Sequence, residues 1–337
     1  DSTTFCSSST ETIYNFDINS GSNHALGDGK KVLWNNELYF SATDGTHGIE
    51  LWKTDGTNSG TVMVADIIPG SAGSNPSQLS VLNNELYFAA SDSTHGQELW
   101  KYDGTSASLV ADINPGSSGS LINGPTVFNN WLYFSAYDGT SGIELWKTDG
   151  TGPGTVMVKD INPGSSDSYA NYLTVFNNEL YLSALSNSNG LELWKTDGTN
   201  GGTVMAADIN PGASWGSPIH LTVFNNELYF QATNSGGPGS GSELWKYDGT
   251  SAILVADINS AGTSSPQYLT VFNNELYFSA DDGIHGFELW KYDGTSASLV
   301  ADVSPSSSIT SSTHPLVYSY GGYLTVFNNA LYFQADD

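Results

Sequence analysis

Residues 50–57 read ELWKTDGT, and residues 192–199 spell the same eight letters again. Close variants begin at Glu98, Glu144, Glu243 and Glu288. Aligned on this octapeptide the chain repeats about every 48 residues, a period that marks solenoids and propellers. Each repeat holds four short segments. An LTVF-like run comes first, at Leu173–Phe176, Leu221–Phe224, Leu269–Phe272 and Leu324–Phe327. LYF follows, starting at Leu38, Leu86, Leu132, Leu180, Leu228, Leu276 and Leu331. ELWK is third, and a hydrophobic step ending at Asp17, Asp66, Asp112, Asp160, Asp208, Asp257 or Asp302 is fourth.

These runs are rich in Val, Leu, Tyr, Phe and Trp, bounded by turn residues, and too short for helices. Asn-Asn joins the first run to the second in every repeat, as at Asn83-Asn84 and Asn328-Asn329. Asp-Gly joins the third to the fourth, as at Asp55-Gly56 and Asp293-Gly294. Both dipeptides suit tight hairpins, whose turn residues take positive φ. Four antiparallel strands per unit, repeated radially, predict an all-β, seven-bladed β-propeller. ELWK occurs only six times, and the N-terminus supplies the shortfall. Laying Thr3–Thr10 (TTFCSSST) over the octapeptide sets Phe5 on the Trp and Asp17 on the repeated Asp. Residues 3–18 and 324–335 are thus expected to form one blade by a two-plus-two seam, so that 1–337 is a single domain without exposed sheet edges.

At ELWKTDGT the chain resembles the ELWxxDGT repeat family of bacterial secreted and surface proteins, over essentially its whole length. The resemblance implies a propeller in an extracellular protein and transfers no catalytic residues. The last blade departs from the signature, carrying TTFCSSST in its place.

Charge narrows the partners. Nine Lys, no Arg and 35 acids give a formal net charge of −26. Nucleic acid, which needs clustered cations, is excluded as an expected partner, and so is an anionic membrane surface. Cations and neutral ligands such as sugars remain favoured. No apolar run approaches the roughly 20 residues of a membrane span. Cys6 stands alone, which excludes a disulfide framework or a cysteine-based metal site. The chain opens at Asp1 rather than Met and carries no Asn-x-Ser/Thr acceptor, which fits a processed protein secreted by a bacterium.

In propeller topology the DIxPGS and DGTHG loops open on one face, opposite the Asn-Asn and Asp-Gly turns. That face gathers Asp44, Asp92, Asp138 and Asp282. The loop Asp44–Glu50 (DGTHGIE) offers the hard oxygens that Ca²⁺ prefers, so Asp44, Glu50, Asp92, Asp138 and Asp282 are candidate metal ligands. The competing reading is structural: Asp44 caps its turn and Glu50 pairs with a lysine. The strand-four aspartates are expected to accept backbone N–H groups of the Pro-Gly turn behind them. His47, His95 and His285 occupy one repeat position in different blades and are expected to be exposed rather than to share a metal. The six Trp of ELWK are expected to fill the wedges between blades, and the Lys that follow to pair with local acids.

Irregular loops are where a function would be grafted. Two stand out, GASWGSPIH (Gly212–His220) and the insertion Ser304–Gly322. Trp215, His220, His314, Tyr318 and Tyr320 are the candidate ligand contacts, Trp215 as an exposed stacking platform or as loop packing. Enzyme readings find little: no G-x-S-x-G elbow, no phosphate loop, and no carboxylate pair that the repetition singles out. The expectation is a non-enzymatic, secreted or cell-surface binding module, recognising glycans or other surface ligands in a lectin-like manner with possible help from Ca²⁺. The alternative is a scaffold or filament subunit of an extracellular assembly, with possible self-assembly.

Overall fold

The computed structural model describes residues 30–236, 240–302 and 324–333, with Ile18, Leu26, Gly27 and the backbone of strands Thr3–Ser7 and Thr12–Phe16. Every helix or strand among them is a β-strand, and there are 28, the number that seven four-stranded blades require. Blade one comprises Val32–Trp34, Glu37–Ala42, Glu50–Thr54 and Val62–Ala65. Blade two comprises Ser77–Leu82, Glu85–Asp92, Gly96–Tyr102 and Ala107–Ala111, and blade three Asn123–Phe128, Trp131–Tyr137, Ile143–Thr148 and Val156–Lys159. Blade four runs from Asn171–Phe176 to Val204–Ala207, blade five from Ile219–Phe224 to Ala252–Ala256, and blade six from Gln267–Phe272 to Ala297–Ala301. In all six the strands lie side by side in chain order. Such repeated antiparallel meanders are the blades of a β-propeller, as the periodicity predicts. Two further hairpins, Thr3–Ser7 with Thr12–Phe16 and Thr325–Phe327 with Ala330–Tyr332, carry the remaining four strands.

Contacts divide the chain into two compact bodies, Asp1–Asn171 and Tyr172–Asp337. The first contains the N-terminal hairpin and blades one to three; the second contains blade four from Tyr172 onward, blades five and six, and the C-terminal hairpin. Each body is built by the same local rules. All seven Asn-Asn turns have both residues at positive φ, between 47° and 63°, the conformation that matches the right-handed twist of two paired strands.

Packing follows from burial on both sides of each blade. Leu86–Ala90 of blade two are buried without a break, the pattern of a strand covered on both faces. In the first body Trp34, Tyr39, Leu51, Leu86, Phe88 and Tyr102 form a cluster between blades one and two. In the second, Phe176, Tyr181, Leu228, Phe230, Trp245 and Tyr247 do the same between blades four and five. The ELWK tryptophans are part of this filling: Trp52, Trp194 and Trp245 are buried, and Trp100, Trp146 and Trp290 pack against the clusters. Each buried aromatic contributes roughly 2–3 kcal/mol of apolar transfer.

The lysine after each Trp is paired across the ladder. Lys53, Lys101, Lys195, Lys246 and Lys291 meet Glu37, Glu85, Glu179, Glu227 and Glu275 of the neighbouring second strand at 2.7–3.0 Å. Blade three has Trp131 where the others have Glu, and Lys147 lies over its ring at 4.4 Å. One cation position therefore has two solutions, an ion pair and a cation–π contact.

Candidate functional site

The repeated Glu of ELWK does not reach a loop surface. Glu50, Glu98, Glu144, Glu192, Glu243 and Glu288 are completely buried. Glu192 accepts the N–H groups of Ile209, Asn210 and Gly216 at 2.6, 3.4 and 2.7 Å. Glu50 accepts Ile67 N–H and the N–H and hydroxyl of Ser74, and Glu243 accepts the same set from Ile258 and Ser264. Glu98 and Glu144 likewise accept from Ile113 and Asn114 and from Ile161 and Asn162, so in blades one to five the carboxyl fastens the loop that follows the fourth strand of its own blade. Burial pushes Glu98, Glu144 and Glu192 up to about 7, against the downward pull of these N–H bonds.

This corrects two expectations. Glu50 is neither a metal ligand nor the partner of a lysine, because its oxygens are consumed by Ile67 and Ser74. The backbone acceptor of the turn is this Glu rather than the strand-four Asp, although Asp160 also takes Gly164 N–H at 3.3 Å.

The loop aspartates close their own turns. Asp44 accepts the N–H groups of Thr46 and His47, the Thr46 hydroxyl, and His47 Nδ1 at 2.7 Å. Asp92 with His95 and Asp282 with His285 repeat the pattern, and Asp138 binds Ser141 instead. Burial works upward on Asp92, but the bonds from His95 and Thr94 outweigh it and bring it to about 2. His47, His95 and His285 are raised in turn, first by the bond to their Asp. The candidate metal set Asp44, Glu50, Asp92, Asp138 and Asp282 is therefore not assembled: four members are satisfied within their own turns and the fifth is interior. Among the described residues no three His, Cys, Asp or Glu side chains come together as a metal-holding group.

A different row of residues surrounds open space. Five positions before the Asn-Asn turn, blades two to six carry a residue at positive φ: Gln78, Gly124, Tyr172, His220 and Tyr268, between 55° and 64°. In blades two, three, five and six the register with the second strand slips across this point, which is a β-bulge. In the second body the bulged side chains are aromatic. Tyr172 and His220 meet edge-on with ring centroids 5.7 Å apart, and His220 and Tyr268 meet at 5.8 Å. They line a cavity of about 330 Å³, walled also by Leu173, Leu221 and Leu269. Threonines behind the ladder fix it. Thr174, Thr222 and Thr270 each reach the carbonyl of their own bulged residue, at 3.2, 3.0 and 2.9 Å. Each also reaches a carbonyl of the next blade, that of Leu221, Leu269 or Leu324, at 3.2–3.4 Å. Burial holds His220 below its ordinary range, so the imidazole is neutral near pH 7.

Of the candidate ligand contacts, His220 lies in this cavity, though as part of a strand bulge rather than of the loop that drew notice. Trp215 is 54% exposed, as expected, but is not among the residues lining the cavity. His314, Tyr318 and Tyr320 lie outside the described residues. Tyr172 and Tyr268 escaped the sequence reading. Their signal is the column itself, which holds Lys30, Gln78 and Gly124 in the first three repeats and Tyr172, His220, Tyr268 and Tyr323 in the later ones.

No family model and no curated protein matches the chain. Solved structures do resemble it. A puromycin hydrolase is similar with a TM-score of 0.52 and 12% identity, over 86% of this chain and 48% of that one. A structure from a study of two prolyl endopeptidases is similar with a TM-score of 0.52 and 11% identity, over 87% and 44%. The β-propeller domain of the Trilobed protease from Pyrococcus furiosus gives 0.48 and 8%, over 83% and 84%. At these identities the likeness is one of fold, and the chain spans about half the length of the first two proteins. The expectation of a non-enzymatic, lectin-like module is corrected by this finding. The fold is shared with hydrolases, so a propeller without recognisable catalytic motifs does not single out glycan recognition. The fold singles out the scaffold or filament alternative no better.

Proposed function

We propose that this chain is a peptide-holding propeller, of the kind that accompanies hydrolytic domains, and that it contributes a contact surface rather than catalytic groups. The observation that carries this reading is the cavity walled by Tyr172, His220 and Tyr268, three bulky side chains held at positive φ where the repeat itself accepts Gly124. Non-glycine residues in that region cost free energy, and bulges that re-aim side chains gather at functional sites. Peptide as the ligand class is supported by the prolyl endopeptidases among the structures that share the fold. An extracellular setting belongs to the same proposal, resting on the acidic composition and the resemblance to the ELWxxDGT repeat family.

The test is selection from a random peptide display library. Enriched sequences should bind the native chain and lose binding to the double variant Tyr172→Ser/Tyr268→Ser, with its melting temperature nearly unchanged. Enrichment indifferent to the double variant, or no enrichment, removes the proposal.

A further inference from the structure

We propose that the cavity over Tyr172, His220 and Tyr268 takes an alkylammonium group, the cationic end of a peptide side chain. This rests on the peptide-holding reading and names its chemistry. Two features of the cavity and one of the whole chain converge on a diffuse organic cation.

The first is the arrangement of the rings. Tyr172 and His220 meet at 63° between planes, and His220 and Tyr268 at 44°, so neither pair is a parallel stack. Rings so tilted are not stacked face to face on one another, and the face of an aromatic ring is the negative end of its quadrupole. A cation within about 6 Å of such centroids is attracted without any hydrogen bond being required.

The second is what the walls lack. Among the described residues no Asp, Glu, Lys or Arg lines the cavity, and Leu173, Leu221 and Leu269 supply apolar surface. A hard metal ion or a carboxylate would lose its hydration there and find no opposite charge among the described walls to compensate. A methylated ammonium is weakly hydrated and spreads its charge over carbon, so the same walls suit it. His220 stays neutral through burial and does not repel it.

The third is the field of the whole chain. With a net charge of −26, cations are concentrated at the surface and anions are kept away. The preference for cations expected from composition is thereby met without an oxygen-ligand site. A neutral apolar side chain is the rival occupant; it would use the leucines and ring edges but gain nothing from the charge.

The test compares three probes by isothermal titration: a short peptide with a central trimethyllysine, the same peptide with a neutral tert-butyl isostere at that position, and tetramethylammonium alone. The trimethyllysine peptide should bind roughly tenfold more tightly than its isostere, and tetramethylammonium should compete with it. Tyr172→Leu/Tyr268→Leu should lose that advantage, while Tyr172→Phe/Tyr268→Phe should keep most of it, at unchanged melting temperature. Equal binding of isostere and trimethyllysine peptide, both lost in the leucine variant, would overturn the cation inference and leave the peptide-holding surface standing. Binding that survives the leucine variant places the cation elsewhere and overturns it too. Failure of all three probes, with library peptides still bound, has the same consequence; failure of library peptides as well brings down both readings. If tetramethylammonium binds as tightly as the peptide, the chemistry stands and the source is a free cation.

Discussion

The first strands of blades two and three and those of blades four to six share one positive-φ position and differ in what they carry there. In the first body Gln78 bonds Asn123 at 2.9 Å and accepts the N–H of Gly124, so the row is a polar stitch closed on itself. In the second body the same positions hold Tyr172, His220 and Tyr268 around a cavity. The bulge belongs to the fold, since glutamine, glycine, tyrosine and histidine all adopt it. The side chains do not. Folding leaves that column free, and a column left free yet filled with strained aromatics in one body is where a function is to be sought.

The largest effect is expected where the two bodies are alike. Glu98→Ala and Glu192→Ala should each cost roughly 3 kcal/mol or more, because buried N–H groups lose their acceptor. Denaturant unfolding measures this, and a small cost in one body only would show that the loops there are held by something else. The bulge comes next. Gly124→Tyr, copying the second body into the first, should destabilise by about 1–2 kcal/mol, the penalty of a side chain in the left-handed region. Tyr268→Gly should leave stability within about 1 kcal/mol, as relief of that penalty offsets lost packing. A large loss in the second variant would mean that the aromatics are core and not surface.

Acidity offers a third test. Folded Glu98, Glu144 and Glu192 keep their protons up to about pH 7, whereas the unfolded chain releases them near 4.5. Between those values the folded state binds more protons, so stability falls as pH rises through the window. Melting should therefore be several degrees higher at pH 5 than at pH 8, and Glu192→Gln should reduce the difference. The turn aspartates act in the opposite sense only below about pH 4, since Asp92 titrates near 2 when folded and near 3.8 otherwise. A flat profile from pH 5 to 8 would mean that the buried carboxyls are ionised at little cost. A smaller change belongs to blade three: Trp131→Glu should exchange the cation–π contact of Lys147 for an ion pair and move stability by less than about 1 kcal/mol. Smallest of all is calcium. Ca²⁺ and NaCl at equal ionic strength should shift melting alike, and a Ca²⁺-specific rise would reveal a ligand set beyond the loop aspartates.

Much of this architecture is written in short-range letters. The Asn-Asn pairs fix hairpins because few residues accept two successive positive φ values, and the alternation of LYF and ELWK fixes which strands are interior. The site is written differently. Glu50 looks like a surface acid because its acceptor role depends on Ser74, 24 residues on, a pairing that no local pattern discloses. The bulge is harder still. Gln78, Gly124, Tyr172, His220 and Tyr268 have no side-chain property in common, and a register slip between strands leaves no mark in either strand alone.

The lysine–glutamate pairs also bear on resistance to proteolysis. A protease that cuts after basic residues must draw an extended, unpaired segment of chain into its specificity pocket. This sequence offers it no arginine, and five of its nine lysines sit in the middle strands of four-stranded sheets with their ammonium groups already engaged. Lys30 and Lys31, both exposed just ahead of blade one, are the natural first cuts. Digestion by such an enzyme should stall after trimming there, leaving a core that a chymotrypsin-like enzyme, with tyrosines and exposed Trp215 to choose from, attacks sooner.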